Sequence, residues 1–496
     1  MQPQPFEVKL TRHFILNALY SQTIADRSRH EPEIEFTDIT IDSRKVTPGS
    51  LFVALKGEKL DGHDYIETAV QNGARGILCK KNTTLSTPGS DVTFFYTDDP
   101  LRAFRRLASI WRKEFAIPVV VVAGSAGKTT TKEILAAILS GKWESLVKTE
   151  GSQNGMIGIP LTLMELRSHH QAAVIEVGID EIGTMDQHMT LVQPNAAVLT
   201  SIGPEHLERL QDLPTVAKEE GIALAAVTQT GGLAAISLDD PWIKPHAFTL
   251  KTGKKVYFSL QPETAANLPE EKVALTLWGE LSPNEKKLTF WGLNSDRTTL
   301  SLPLPGRHNA SNLLAALTVA HGLGLTIPEI KNGLKRFQGA TGRSEVQELP
   351  GPVTVICDYY NAQPASMNAG LDLLSSLARQ SGQKGSRWAC LADMLELGTF
   401  EEKFHRELAP KILQSGIENV FLYGPRMKAL YEELRTLGFP HRLSHFLTHE
   451  ELNAALIPSV RPNDTILIKG SRGMKMEQIW NVLESHTRSQ RESKNP

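Results

Sequence analysis

The chain has few cysteines, no long apolar run and no excess of either charge, and each shortage removes a class of function. Its three cysteines, Cys79, Cys357 and Cys390, stand far apart in apolar, strand-like surroundings. That pattern argues for buried thiols in a reducing compartment and against a disulfide framework or a cysteine metal site. The longest apolar run, around Val119 to Ala123, falls far short of the roughly 18 residues of a membrane-spanning helix, so no membrane partner is expected. Lys and Arg total 53 against 55 for Asp and Glu, a net charge of −2. Such a balance offers no basic field to nucleic acid, which is not an expected partner. The opening Met1-Gln-Pro-Gln-Pro-Phe6 lacks the basic-then-apolar pattern of a secretory signal, and a cytoplasmic location is expected. Low complexity is confined to the short loop Ser381-Gly-Gln-Lys-Gly-Ser386.

What is present is enough apolar residue to build several cores. At 496 residues and 41% hydrophobic content, the chain exceeds what one core serves, and two to four domains are expected. The most informative stretch is Val119-Val-Val-Val-Ala-Gly-Ser-Ala-Gly-Lys-Thr-Thr-Thr-Lys132. A β-branched run ends in a turn that opens into a helical pattern, with Ile134, Leu135, Ile138 and Leu139 on one face and Gly141 as the stop. This reads as a phosphate-binding loop. Gly124 and Gly127 permit a tight turn whose N–H groups, with those of Ser125 and Ala126, point at an anion. Lys128 reaches terminal phosphates, and the Thr129 hydroxyl suits a Mg²⁺ shell, with Thr130 following it into the helix. The longer form of this motif would place a glycine at Val122, so the loop is a shortened variant. A nucleoside triphosphate, ATP, with Mg²⁺ is the ligand expected.

The remainder reads as three α/β domains, over residues 1–115, 116–341 and 342–496. Short strands and polar turns around Ile39 to Arg44 and Leu51 to Leu55 open the first, and a helical pattern from Leu101 to Phe115 closes it. In the second, strands at Ala172–Val177, Ala196–Thr200 and Gly232–Ser237 alternate with helical segments, implying a mostly parallel sheet covered by helices. Alternation at Val273, Leu275 and Leu277, a turn at Ser282–Glu285, then Leu288 and Phe290 predict a hairpin. A helix follows Asn309. Strands at Val353–Cys357, Trp388–Leu391, Val420–Tyr423 and Thr465–Ile468 predict a doubly wound, Rossmann-like third domain. The tail from Glu484 to Pro496 is nearly free of apolar residues and reads as a frayed end. Two groups fall at successive strand ends after the phosphate loop. Glu176 emerges at the carboxyl edge of its strand, and His206 follows the strand ending at Thr200. Together they favour a metal–nucleotide site, although Mg²⁺ prefers oxygen to imidazole.

These residues resemble the Mur ligases, the ATP-dependent amide-forming enzymes of peptidoglycan synthesis. The resemblance rests on Gly124-Ser-Ala-Gly-Lys-Thr-Thr130, Asn154 ahead of Ile157-Gly-Ile-Pro-Leu-Thr162, Val174-Ile-Glu-Val-Gly178 and Gly203-Pro-Glu-His-Leu207. Ile41-Asp-Ser-Arg-Lys-Val46 and Asp61-Gly-His63 are similar to the family's N-terminal UDP-binding domain. Gly306-Arg-His-Asn309 with Asn312, and Gly342-Arg343, are similar to its adenine-binding segment and hinge. Asp358-Tyr-Tyr-Asn-Ala-Gln-Pro364, Ala392-Asp-Met-Leu-Glu-Leu-Gly398 and Lys469-Gly-Ser-Arg-Gly-Met474 look like members that take D-Ala-D-Ala as acceptor.

The resemblance implies a monomeric cytoplasmic ligase acting on UDP-N-acetylmuramoyl-tripeptide and D-Ala-D-Ala. It implies catalytic roles for Lys128, Glu176, His206 and Asn154, and metal contacts from Thr129, Glu176 and His206. It implies nucleotide contacts from the phosphate loop and from Asn309, Asn312, Arg343, Asp358, Tyr360 and Asn361, with Asp358 accepting from ribose hydroxyls. Ser43 and Arg44 are the implied UDP contacts. A lysine that the family carries after the His-Leu pair, where its carbamate binds a second Mg²⁺, corresponds to Glu220 here. Glu220 is either a permanent carboxylate in that role or a solvated helix residue, and Lys218 should face away from it. Two other readings stay open at this point, a folylpolyglutamate-type or other Mur-type ligase and a nucleotide-binding scaffold without catalysis.

Overall fold

Residues 8–19, 33–57, 59–81, 83, 91–293, 295–381 and 385–492 are described by the structure, a computed structural model. The opening residues Met1–Phe6 and residues 382–384 of the 381–386 loop lie outside them. The chain divides into two compact units. One gathers residues 1–121, 143–177 and 186–195, the other 122–142, 178–185 and 196–496.

The first unit contains a four-stranded parallel sheet, Ile39–Thr40, Leu51–Val53, Gly76–Lys80 and Thr93–Thr97 in that order. Leu51, Phe52 and Val53 are wholly buried, as expected of a strand covered on both faces. The helix Pro100–Lys113 starts where the Asp99 carboxylate accepts the Arg102 N–H at 3.0 Å and Pro100 needs no donor. Ala103, Phe104, Leu107, Ala108 and Trp111 form its buried stripe. The Trp111 indole donates to the Leu166 carbonyl at 3.2 Å, and buried Arg112 donates to the carbonyls of Val192 and Phe115. A parallel strand pair, Leu146–Lys148 with Ala172–Glu176, completes the sheet elements described within this unit.

The second unit carries the phosphate-loop helix Lys128–Leu139, packed against the helix Arg307–Gly322. Strands Ala196–Leu199, Leu233–Ser237, Lys254–Ser259 and Thr276–Leu281 run parallel side by side. The antiparallel strands Lys287–Gly292 and Ser295–Ser301 extend the edge. A separate six-stranded sheet follows, ordered Glu345–Leu349, Val353–Asp358, Thr465–Lys469, Arg387–Ala392, Asn419–Tyr423, Arg442–Phe446, parallel except for its first strand. Leu371, Leu391, Leu422 and Leu434 pack in one apolar cluster and Trp388, Phe421, Ile468 and Leu483 in another. Two apolar faces on one sheet are the mark of a doubly wound domain.

Three details depart from the sequence reading. Residues Glu270–Ala274 form a helical turn, and the strand begins only at Thr276. Glu270 and Glu271 at the turn's amino end favour helix, which the apolar alternation at Val273, Leu275 and Leu277 obscures. The third domain has six strands instead of four. The added ones, Glu345–Leu349 and Arg442–Phe446, are edge strands with mostly half-exposed side chains and so have no apolar run to betray them. The tail is helical through Glu477–Glu492, with Ile479 and Leu483 buried and Glu484 paired to Arg488 four residues on. Residues 493–496 lie outside the described chain. No helix of the described residues is long and apolar enough to cross a membrane.

Candidate active site

The strand Val119–Ala123 delivers Gly124, whose φ of +114° suits glycine and whose added Cβ would stand 2.6 Å from the Thr200 hydroxyl. Gly127, at φ +88°, is crowded in the same way by the Asn312 side-chain oxygen, 2.5 Å from where a Cβ would be. The loop is stitched to the next strand's exit. The Ser125 N–H donates to the Ser201 carbonyl at 2.7 Å, the Ser125 hydroxyl donates to the Gly203 carbonyl, and the Thr200 hydroxyl donates to the Ala126 carbonyl. A backbone held this tightly does not reorganise around an anion, which makes the binding geometry preformed.

Charge then converges on the loop. The Lys128 ammonium donates to the Gly124 carbonyl at 2.5 Å and lies 3.5 Å from the Glu205 carboxylate, which is buried. Glu220, on the helix Leu213–Gln229, is wholly buried, and its Oε2 accepts the Gly124 N–H at 2.8 Å. Burial first, and then the neighbouring Glu205 charge, push the Glu220 carboxyl up to about 8. Glu220 Oε1 and Glu205 Oε1 find no donor among the described residues apart from each other's carboxyl group. Two buried oxygens of this kind, beside a phosphate loop, are the hard donors that Mg²⁺ selects. Glu220 is therefore not a solvated helix residue, and Lys218 is exposed on another face of its helix.

The C-terminal part of the same unit closes on this loop. Arg343 donates to the Thr129 hydroxyl at 3.1 Å, and its guanidinium lies 4.2 Å from the centre of the Tyr360 ring, with Arg472 5.5 Å from that ring. His206, in the left-handed backbone region at φ 45°, pairs through Nδ1 with Glu396 Oε2 at 2.8 Å. Burial works against a charge on His206, but the Glu396 hydrogen bond and the Glu205 and Glu396 charges outweigh it and raise its pKa. Asn309 is buried and donates to the Pro305 carbonyl, and Asn312 donates to the Asn309 side chain at 3.3 Å. Asp358 is committed to the protein itself: the Lys469 ammonium sits 2.6 Å from Oδ2 and the Ser344 N–H donates to Oδ1 at 3.0 Å. Lys469 also donates to the Asn361 carbonyl, while the Asn361 side chain accepts the Ala362 N–H.

The first unit holds the remaining candidates. Glu176 is buried at the end of its strand, where the Asn154 amide donates to Oε1 at 2.8 Å and fixes the carboxylate. Ser43 is buried in a short 3₁₀ turn, and its carbonyl accepts from the Asn72 amide. Arg44 is exposed and bound bidentately by Asp42, at 2.9 and 2.8 Å. The Arg44 hydrogen bond is the main reason the Asp42 carboxyl is held down at about 2.

The structure thus gathers Lys128, Thr129, Arg343, Tyr360, Asn309, Asn312, His206 and Glu220 within one unit, and joins Asn154 to Glu176 in the other. Glu205, Glu396, Arg472 and Lys469 escaped sequence reasoning as site residues. Each lies inside a quoted motif, yet nothing local says which partner its side chain meets. Among the described residues no three His, Cys, Asp or Glu side chains form a metal-holding group. A Mg²⁺ ion bound here would take part of its oxygen shell from the nucleotide phosphates.

Comparison with known proteins agrees with this architecture. Residues 35–137 match the description "Mur ligase family, catalytic domain", residues 122–320 "Mur ligase middle domain" and residues 342–472 "Mur ligase, glutamate ligase domain". The UDP-N-acetylmuramoyl-tripeptide--D-alanyl-D-alanine ligase of Bacillus subtilis is 31% identical over 442 residues, covering 89% of this chain and 92% of that protein. The Escherichia coli protein of the same name is 31% identical over 460 residues, covering 92% and 95%. Among solved structures, MurF from Acinetobacter baumannii superimposes with a TM-score of 0.82 at 26% identity, covering 97% of this chain and all of that one. MurF from Thermotoga maritima in complex with ADP shares the fold, with a TM-score of 0.74 at 24% identity over 91% of this chain and 98% of that one. With a preformed phosphate loop, a three-domain α/β architecture and relatives matched over nine-tenths of its length, this chain belongs to the Mur ligase family.

Proposed function

We propose that this chain is the ATP-dependent ligase that joins D-Ala-D-Ala to UDP-N-acetylmuramoyl-tripeptide in peptidoglycan precursor synthesis. The observation that carries the reading is the phosphate loop, where Gly124 and Gly127 admit no side chain and Lys128 stands at the helix start. The named relatives supply the substrates, and the motifs of residues 342–496 supply the acceptor class. The domains are taken as 1–115 for the UDP-substrate, 116–341 for ATP and 342–496 for the acceptor. A cytoplasmic monomer is the form proposed.

Amide formation requires an acyl group with a better leaving group than carboxylate oxygen. The terminal carboxylate of the tripeptide attacks the γ-phosphorus of ATP, the bond to the β-bridging oxygen breaks, and ADP leaves an acyl phosphate. The neutral amine of D-Ala-D-Ala then attacks the acyl carbon. The tetrahedral intermediate loses a proton and expels phosphate. Most of the catalysis is positioning and charge neutralisation. Lys128 and the amides of residues 124–130 hold the phosphates, and Arg343 and Tyr360 face them from the C-terminal segment. Asn309 and Asn312 support the loop and the adenine side. Asp358, tied to Lys469, orders the segment bearing Tyr360 and Asn361 and offers its remaining lone pairs to the ribose. Ser43 and Arg44 are assigned to the UDP moiety.

Mg²⁺ when bound would neutralise phosphate charge, with Thr129, Glu176, His206 and Glu220 as the proposed ligands and Asn154 orienting Glu176. The test is ADP release from the purified chain given ATP and the tripeptide, with and without D-Ala-D-Ala. Release that requires both substrates supports the reading. Release independent of D-Ala-D-Ala, or none with any acceptor, overturns it, the second outcome being that of a scaffold without catalysis.

A further inference from the structure

On the C-terminal sheet, the edge opposite Asp358 and Lys469 carries a cavity of about 420 Å³. Trp388, Asn419 and Arg442 line it as one row of register partners across three parallel strands, Asn419 and Arg442 being the first residues of theirs. Arg461 and Ser459 come from the segment before the strand Thr465–Lys469. The site lies at the amino ends of the strands, whereas the phosphate-facing residues of this domain follow their carboxyl ends.

Both arginines are fixed by neutral partners. Arg442 donates through Nη1 to the Ser459 hydroxyl at 2.7 Å, and that hydroxyl in turn donates to the Ala455 carbonyl. The Arg442 guanidinium lies 4.8 Å from the Phe421 ring centre and 5.7 Å from that of Trp388, which holds its plane. Arg461 donates through Nη1 to the Pro458 and Val460 carbonyls at 2.7 and 3.0 Å. The side-chain hydrogen bonds of both guanidinium groups among the described residues go to a hydroxyl or to backbone carbonyls. The one carboxylate of the lining, buried Asp464, is consumed internally. Its Oδ1 accepts the Ser386 N–H at 2.8 Å, and its Oδ2 accepts the Trp388 indole at 2.9 Å and the Arg461 N–H at 2.8 Å.

Two exposed guanidinium groups held by neutral partners are set against the single carboxylate of Asp464, whose oxygens already accept three N–H donors. They leave a net positive lining, with Ser386 and Asn419 beside it, that suits an anion. Guanidinium forks complement phosphate oxygens in particular. The volume exceeds what a bare phosphate fills and lies within the range of small-molecule sites. We propose that this cavity binds a phosphate-bearing small molecule through Arg442 and Arg461, at a site separate from the phosphate loop. A ligand there contacts the segment that leads into the strand Thr465–Lys469, whose far end carries Lys469.

The test is a calorimetric titration of the full chain with its phosphate loop saturated by Mg²⁺ and a non-hydrolysable ATP analogue. Inorganic phosphate and glycerol 3-phosphate are the two probes, with chloride at equal ionic strength as the reference. Saturable one-to-one binding is expected, weakened about tenfold or more in Arg461→Gln. It should vanish in Asn419→Asp, which places a carboxylate between the arginines without changing shape. Tighter binding of the ester supports an organic phosphate as the occupant, and equal binding supports free phosphate. Absence of saturable binding of either probe overturns the proposal. So does an affinity unchanged in both variants, and so does binding that disappears when the nucleotide analogue is added.

Discussion

The Glu220 carboxylate accepts the Gly124 N–H at 2.8 Å, so a residue 96 positions along the chain fixes the first turn of the phosphate loop. Glu219, beside it on the same helix, accepts the Gly183 N–H at 2.9 Å. One helix therefore holds two glycine turns with consecutive side chains. The bond to Gly124 leaves Glu220 Oε1 as the atom available to a metal, and the two functions of the carboxylate separate by substitution. In Glu220→Gln the side-chain oxygen still accepts the Gly124 N–H, so nucleotide affinity should stay within about twofold. Mg²⁺-dependent turnover should fall by about tenfold or more, since the amide cannot give up a proton to offer the metal a charged oxygen. Glu220→Ala leaves the buried N–H unpaired and should cost about 1–3 kcal/mol of stability as well. Turnover should be indifferent to removal of CO₂. Full activity in Glu220→Gln, or a carbamate on Lys218, would remove the metal role.

Lys128→Ala should abolish ligation while leaving the fold intact. The side chain is largely buried, and it meets polar groups that include the Gly124 and Ser125 carbonyls and Glu205. Loss of a cation that neutralises the transferring phosphoryl group costs several kcal/mol of barrier, roughly a thousandfold in rate. Comparison of turnover with the thermal midpoint decides it: more than a few per cent of the wild-type rate retained contradicts the assignment.

How much of this was legible in sequence follows from distance along the chain. The phosphate loop announces itself because strand, turn and helix are contiguous and the glycines are dictated by close approach. Glu205 and Glu396 could not be read as partners of Lys128 and His206, because those pairings arise only when the sheets bring separate strand ends together. The edge strand Arg442–Phe446 was missed because its side chains are half exposed and carry no run of apolar residues. Asp358 shows the limit from the other side. Its motif suggested a ribose contact, while the fold first spends its oxygens on Lys469 and Ser344.

Acceptor choice belongs, in this reading, to the domain carrying Asn361 and Ala362. D-Ala-D-Ala should support ADP release, while single D-Ala, L-Lys and glutamate should give less than a tenth of that rate at equal concentration, about 1.4 kcal/mol or more of discrimination. A single amino acid that outperforms the dipeptide would move the chain to another step within the same family.

His188 provides a pH dependence outside the site. It is wholly buried on the helix Thr184–Val192, and neither ring nitrogen has a hydrogen-bond partner among the described residues. Burial, and then the Arg105 charge, hold its pKa down at about 3, against an ordinary value of 6.5. The unfolded chain therefore binds a proton that the folded chain refuses. Above the ordinary value the residue is neutral in both states and contributes no pH dependence. Between 6.5 and about 3, stability falls as pH falls, by about 1 kcal/mol per pH unit from this residue alone. His188→Met, similar in volume and without a titrating group, should flatten that slope while leaving ligation at pH 8 within about twofold. Denaturant unfolding of the two proteins at pH 7.5, 6 and 5 measures it. Parallel losses of stability in wild type and variant would show that other groups govern the acid limb.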